Sequence, residues 1–390
     1  MAWETYKVEE QRLRLVNAHL QRDASMTALC KQYGISRKTA YKWVQRFLKL
    51  GVDGLKDLSK APHDPNCCFN KDIIERAIDL KLKKRTWGPK KIIWKLEELY
   101  PDENWPSPTR LYQIFKDHNL VTCRRLKGRV PATAPLGDLN GCNDTWAVDL
   151  KGWFMTGDGH KCEPLTISDC YSRYLIRCCH LNRHTVEYAW PVFEEAFREY
   201  GLPNRVRSDN GSPFGSVGVG RLTGLSVNLI KAGVTPEWIQ PGHPEENGRH
   251  ERFHLTLKQE TASPPKDTLA LQIQAMSQFE HDYNFERPHE ALGMKTPASC
   301  YQPSRRVWDG VLRPPEYDRK EMDVRKVCQS GCIWLQGAEY YIGQTLTGEY
   351  VGVKGNKNDE LEIYYGPVYL GKHTLKNGFE KPKIKARRQR

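Results

Sequence analysis

A multidomain chain is expected: α-helical helix-turn-helix modules at the N-terminus, an α/β core behind them and a small β-barrel at the C-terminus. Three observations predict it. Helical periodicity broken by Gly and Pro fills the first third of the chain. From Trp146 short apolar runs alternate with helical stretches, the order that builds a mixed sheet flanked by helices. From about Val324 to Leu370 the chain is rich in Tyr, Val and Ile with Gly breaks, the pattern of a small barrel or sandwich.

The first module is expected over residues 1–56. Glu9 to Leu20 is helical, Ser25 is a plausible N-cap for a second helix, and Gly34 supplies the turn before Ile35. Ser36 caps a third helix in which Ala40, Trp43, Val44 and Phe47 form the apolar stripe. Ser36, Arg37, Lys38, Lys42, Gln45 and Arg46 are then the candidate DNA contacts of a recognition helix, although a plain three-helix bundle with a basic exterior has the same periodicity. Residues 66–123 read as a second such module, or as a structural helical bundle. Ile73, Ile74, Ala77, Ile78 and Leu82 make one stripe, and Ile92, Ile93, Leu96 and Leu99 another. A third helix opens at Ser107-Pro108-Thr109 and carries Leu111, Tyr112, Ile114 and Phe115. Residues 124–144 read as a basic linker whose Arg124 and Arg125 can follow a phosphate backbone. The core is placed at 145–305, the β-barrel at 322–372 and a basic tail at 373–390.

Within the core, Trp146 to Leu150 is a short strand, and His160–Ser168 with Tyr171–Leu181 forms a hairpin. Thr185 to Tyr200 is a helix, Arg205 to Ser208 a strand, Leu222 to Ala232 a helix and Thr235 to Ile239 a strand. Asn247 begins a long helix to about Thr261.

Charge is distributed in keeping with that order. The net charge is +13. Residues 1–130 hold 27 Lys and Arg against 15 Asp and Glu, residues 374–390 hold seven against one, and the stretch between holds 26 against 31. Basic ends suit phosphate binding and an acidic centre suits cations, while a solvated basic surface explains the same numbers. No apolar run is long enough to span a bilayer and the N-terminus lacks a signal peptide's apolar core, so a cytoplasmic protein is expected. The 12 cysteines do not form a disulfide framework. Cys328 and Cys332 lie four apart, a spacing zinc can use. No His or Cys pair follows at finger spacing, and they are read as two thiols.

Three carboxylates stand where chemistry can use them. Asp149 lies in a buried-looking strand, a poor place for an acid without a task. Asp209 ends another strand in Ser208-Asp209-Asn210-Gly211, and Glu251 lies in the first turns of the helix opened by Asn247-Gly248. If they converge, mutual repulsion demands cations, and an all-oxygen ligand set favours Mg²⁺ or Mn²⁺. Sequence does not show the convergence.

The phrases around these acids resemble the retroviral-integrase-type core of insertion-sequence DDE transposases. The matching pieces are Trp146-Ala147-Val148-Asp149, Arg207-Ser208-Asp209-Asn210-Gly211 and the run Pro241 to Arg252. Tyr283-Asn284, Arg287 to Gly293 and Thr296-Pro297 follow. With the N-terminal helix-turn-helix the resemblance spans most of residues 10–301. It implies an RNase H-like fold in which Asp149, Asp209 and Glu251 are the catalytic triad and bind two Mg²⁺, which Mn²⁺ can replace. It implies double-stranded DNA as partner (terminal inverted repeats and target), a homo-oligomer in a synaptic complex, and a bacterial, nucleoid-associated location. Arg252 and Lys258 become candidate contacts to the cleaved end.

Fifty-nine residues separate Asp149 from Asp209 and 41 separate Asp209 from Glu251. Integrases keep a shorter second gap. The glycine-rich stretch from Gly215 to Gly224 is taken as a loop insertion. Two other readings remain. A transposase-derived regulator that binds DNA without catalysis has the same modules. His250-Glu251-Arg252-Phe253-His254 also matches the H-E-x-x-H pattern of zinc proteases, with Glu280 as an imaginable third ligand. That pattern leaves Asp149, Asp209 and the basic ends unexplained. In a transposase, His250 and His254 flank the metal site or contact DNA.

Overall fold

A computed structural model describes residues 8–58, 69–121, 140–240, 248–335, 337–355, 360–374 and 378–381. The 124–139 part of the expected linker with Arg124 and Arg125, the Pro241–Asn247 phrase, and the tail from 382 lie outside the described residues. Contacts divide the chain into two units, 1–68 and 69–390.

In the first unit α1 (Val8–Leu20), α2 (Met26–Gln32) and α3 (Arg37–Leu50) enclose Leu15, Val16, Leu29, Ala40, Trp43 and Val44. Both expected caps are made: Ser25 accepts from the Ala28 amide, and Ser36 from the Thr39 amide at 3.1 Å. Each cap satisfies an amide that the first turn otherwise orphans.

The second unit starts with α4 (Lys71–Lys83), α5 (Pro89–Leu99) and α6 (Pro108–Asp117) around Ala77, Trp87, Ile92, Leu96, Leu111 and Phe115. The expected stripes are shorter than read, since Leu82 and Leu99 are exposed. Lys81 is buried in their place and donates to the Arg85 and Trp87 carbonyls at 2.6 and 2.8 Å, so its stem packs while its ammonium serves the helix end.

The core sheet contains β1 (Thr145–Leu150), β4 (Pro164–Asp169), β5 (Leu175–His180), β6 (Arg205–Ser208) and β7 (Thr235–Trp238). A small hairpin of β2 (Phe154–Met155) and β3 (Lys161–Cys162) stands apart from it. Strand order is β5-β4-β1-β6-β7, with β5, β4 and β1 antiparallel in turn and β1, β6 and β7 parallel. Strand parity, shifted in β5 by a bulge opposite Ile167 and Ser168, divides the side chains. Trp146, Val148, Leu165, Ile167 and Val206 pack with Phe193 and Phe197 of α7 (Val186–Tyr200) and Leu225 and Leu229 of α8 (Gly224–Lys231). Another cluster joins Leu175 and Cys178 to Phe253 and Leu257 of α9 (Gly248–Thr261) and Met276 and Phe279 of α10 (Leu269–His281). The edge strand β5 is covered by side chains: Glu280 accepts from the Cys178 amide at 2.8 Å, and Asn284 exchanges bonds with the Leu175 backbone at 2.8 and 2.9 Å.

The short helix α11 (Pro297–Cys300) closes the core. The C-terminal region forms a five-stranded antiparallel sheet, β14-β13-β12-β11-β8. Its strands are β8 (Asp323–Lys326), β11 (Tyr350–Gly355), β12 (Leu361–Tyr365), β13 (Val368–Thr374) and β14 (Gly378–Glu380), and the hairpin of β9 (Cys332–Leu335) and β10 (Ala338–Tyr341) packs beside it. Among the described residues no pairing joins β14 to β8, so the expected barrel is here a sheet with a separate hairpin. The glycine-rich insertion docks this sheet: Val219 and Leu222 enter the same cluster as Ile363, Val368 and Leu370. Gly220 adopts φ +61°, and a Cβ there would sit 2.7 Å from Leu370 Cδ2, so both conformation and space require glycine.

No helix among the described residues is long and apolar enough to cross a membrane. The nine described cysteines are all free.

Candidate active site

Parallel pairing of β1 with β6 aligns Thr145 with Arg205, Trp146 with Val206 and Ala147 with Arg207. Two residues further along that register Asp149 is level with Asp209, one residue past the end of β6. Neighbouring strands run about 4.8 Å apart. Ala147 and Asp149 point away from the Trp146–Val148 face, so Asp149 emerges at the carboxyl end of its strand toward α9. The Asp209 turn is braced by its neighbours. Asp209 Oδ1 accepts from the Gly211 amide at 3.2 Å, and Asn210 donates to the Ile239 carbonyl at 3.0 Å. Arg221, from the insertion, donates to Asn210 Oδ1 at 2.8 Å.

Glu251 is exposed on the first turn of α9, and the two histidines beside it are covered. His250 Nε2 and His254 Nε2 lie 2.7 and 2.9 Å from Thr166 Oγ1, and Thr166 is the β4 residue paired with Asp149. The same hydroxyl donates to the Asp149 carbonyl at 3.1 Å, and His254 Nδ1 is 3.8 Å from Asp149 Oδ2. Burial lowers the His250 pKa to about 4. It lowers that of His254 to about 2, helped by His250 and Lys151, so both rings are neutral near pH 7. With the hydroxyl proton on the Asp149 carbonyl, both rings donate from Nε2. Glu251 thus projects from a helix pinned beside Asp149, and helical spacing sets Glu251 and His254 on neighbouring positions.

The geometry decides between readings that the sequence left open for this helix. His250 is 3% exposed and His254 is largely covered, so neither is a DNA-surface residue; His254 flanks Asp149 instead. The point on which both Nε2 atoms converge is filled by the Thr166 hydroxyl, and Glu280 is engaged with the Cys178 amide on β5, so the H-E-x-x-H pattern does not form a zinc site. Among the described residues, the group whose metal-binding atoms all lie within 4.8 Å of one another is Cys328, Cys332 and Glu339, not the three carboxylates.

Sequence reasoning missed Thr166 and Lys151. Lys151 follows Asp149 by two, just past the end of β1, and burial together with the Lys258 ammonium lowers its pKa. Lys258 and Arg252 are both exposed on α9. Thr166 could have been found only from the antiparallel register, which sequence leaves open.

In the first unit Arg37, Lys38, Lys42 and Gln45 lie exposed along α3, and Ser36 is engaged as its cap. Arg46 is not free for DNA. Its guanidinium stacks 4.7 Å from the Trp43 ring and donates to the Lys56 carbonyl at 2.7 Å. The α4–α6 module is docked on the core: Lys84 Nζ lies 2.7 Å from both Asp282 and Glu286, and Glu260 joins Thr86 and Arg287.

The comparisons with known proteins match this arrangement in four stretches. The integrase core domain family matches residues 140–244 and, in a second description, 232–297. A helix-turn-helix domain matches 11–63 and a homeodomain-like domain 39–115. An uncharacterized 31.7 kDa protein of insertion element IS407 from Burkholderia multivorans is 24% identical over 276 residues, 70% of this chain and 93% of its own length. The transposase of transposon Tn552 from Staphylococcus aureus is 22% identical, covering 93% of this chain and 82% of its own. Among solved structures, the HTLV-2 integrase catalytic core in complex with magnesium aligns with 42% of this chain and 99% of its own, at 16% identity and a TM-score of 0.33.

Proposed function

We propose, for a chain that belongs to the insertion-sequence transposases with an RNase H-like integrase core and N-terminal helix-turn-helix domains, that its reaction is metal-assisted DNA strand transfer. In this reading the helix-turn-helix modules bind the terminal inverted repeats of a mobile element. The core hydrolyses a phosphodiester there to free a 3′-OH, which is then joined to target DNA by in-line displacement.

The observation that carries the reading is the β1–β6 register, which brings Asp149 level with Asp209, together with the Thr166 anchor that holds the Glu251 helix against Asp149. An all-carboxylate donor set without a thiol fits hard cations, so Asp149, Asp209 and Glu251 would hold two Mg²⁺, with Mn²⁺ able to substitute. When bound, such ions make the attacking oxygen more acidic and offset charge on the leaving oxygen. The rest of the work falls to the chain. Asn210 and Arg221 orient the Asp209 turn, Thr166 with the two histidines orients Glu251, and Arg252, Lys258 and Lys151 attract phosphates to the cleft mouth. Joining two element ends at one target requires two active sites, so the working form is a homo-oligomer holding both ends in synapsis.

A strand-transfer assay with labelled element ends and Mg²⁺ tests this. Wild type should join ends to target, and Asp209→Asn should bind ends without joining them. Equal inactivity of both proteins, with DNA binding intact, would replace the enzyme by a DNA-binding regulator derived from a transposase.

A further inference from the structure

The hairpin that enters β9 is built around two thiols. Cys328 and Cys332 close a three-residue loop: the Cys328 amide donates to the Cys332 carbonyl at 2.8 Å and the Gly331 amide to the Cys328 carbonyl at 3.0 Å. Gly331 takes φ +79°, and a Cβ on it would lie 2.9 Å from the Gly343 backbone, so the tight loop ends on a left-handed residue that favours glycine. Core packing sets the outward face. Ile333 and Leu335 are buried, which turns Cys332 and Trp334 outward, and Trp334 is paired with Glu339 of β10. Glu339 therefore stands over the loop on the same face as Cys332.

The result is a compact ligand set. One atom from each of Cys328, Cys332 and Glu339 lies within 4.8 Å of the others, and Cys328 Sγ is 3.5 Å from Glu339 Oε1. The Ser330 hydroxyl lies between them, 2.9 Å from Cys328 Sγ and 3.2 Å from Glu339 Oε1. Among the described residues Glu339 makes no ion pair. Zinc binds thiolates at about 2.3 Å, and tetrahedral ligands around it stand roughly 3.5–4 Å apart. The observed group, whose ligand atoms all lie within 4.8 Å of one another, is within about 1 Å of that spacing.

We propose that Cys328, Cys332 and Glu339 form a zinc site, with the fourth position left to water, that clamps the β9–β10 hairpin. Binding releases the thiol protons to solvent and adds two sulfur–metal bonds and one oxygen–metal bond across the hairpin. The site is separate from the carboxylate site, whose donors are all oxygen, and does not depend on the proposed reaction. Sequence spacing allowed zinc at the two thiols and set it aside for want of a His or Cys pair, because the third ligand comes from the opposite strand and is a carboxylate.

Cobalt(II) titration of the reduced full-length protein tests the proposal. Thiolate-to-cobalt charge-transfer absorption should appear with one equivalent per chain and be displaced by Zn²⁺. It should vanish in Cys332→Ser and persist in Asp209→Asn. Glu339→Gln, on an exposed strand position that leaves the fold intact, should weaken binding by at least about tenfold. Two results would overturn the site: no thiolate band at saturating cobalt, or a band unchanged in Cys332→Ser.

Discussion

Thr166 Oγ1 lies 2.7 Å from His250 Nε2, so one hydroxyl on β4 holds the helix that carries Glu251. Because the same oxygen reaches His254 and the Asp149 carbonyl, strand, helix and backbone meet at a single atom. Thr166→Val keeps the shape and removes the hydroxyl, leaving two covered imidazole donors without an acceptor. We expect a loss of about 1–3 kcal/mol in urea unfolding, and a fall in end joining larger than any change in DNA affinity. Thr166→Ser should restore both. Full joining by Thr166→Val would remove the anchor from the account.

Asp209→Asn tests the carboxylate assignment apart from folding. The side chain keeps its size and its bond to the Gly211 amide, so thermal unfolding should stay near wild type. Joining should fall at least about a hundredfold, the scale on which single electrostatic contributions act in catalysis. Chelation of divalent ions should abolish wild-type joining, and added Mn²⁺ should restore it.

On α3 two basic residues separate into different roles. Lys42 is exposed, and Lys42→Ala should weaken DNA binding across sequences and lower the salt slope by about one. Arg46 holds the Lys56 carbonyl, so Arg46→Ala should lower the melting temperature of the first unit, with a cost of about 1 kcal/mol. If Arg46→Ala changed only DNA affinity, its internal role would be wrong.

Glu280 gives the core a pH signature. Burial raises its pKa from 4.5 to about 7, partly opposed by the Cys178 amide and Arg177. Below the unfolded value the carboxyl is protonated in both states. Between 4.5 and about 7 the unfolded chain releases the proton while the folded chain keeps it, so stability falls across that window and levels off above it. Relative to Glu280→Gln, which does not titrate, wild type should lose up to about 3 kcal/mol between acid and neutral pH. Unfolding curves for both proteins at several pH values measure it. A difference that does not change with pH would contradict a buried, protonated Glu280.

The helices of the N-terminal modules were legible because their signals are local. Ser25 and Ser36 cap where the hydrogen-bonding rule puts them, and Ala40, Trp43 and Val44 follow helical period into the core. Expectation failed where a long side chain serves two environments. Lys81 is buried because its ammonium reaches the Arg85 and Trp87 carbonyls, and Leu82 beside it faces solvent. The barrel was over-read for a different reason, since apolar alternation reports which residues face a core and not whether the first and last strands pair. The insertion was recognised as extra chain, but its use as a docking surface for Leu370 depends on contacts about 150 residues away in sequence.

By itself the sequence singled out three acids as candidates, the helical and strand stretches that carry them and the basic character of the chain's ends. Those follow from residue type and short-range period. Only the tertiary structure decided that Asp209 is level with Asp149, that Thr166 anchors the Glu251 helix, and that Glu339 meets Cys328 and Cys332. Each depends on strand register or helix docking. A shift of one residue would turn every side chain of a strand to its other face, and it is the burial of Trp146, Val148 and Ile333 that selects one register.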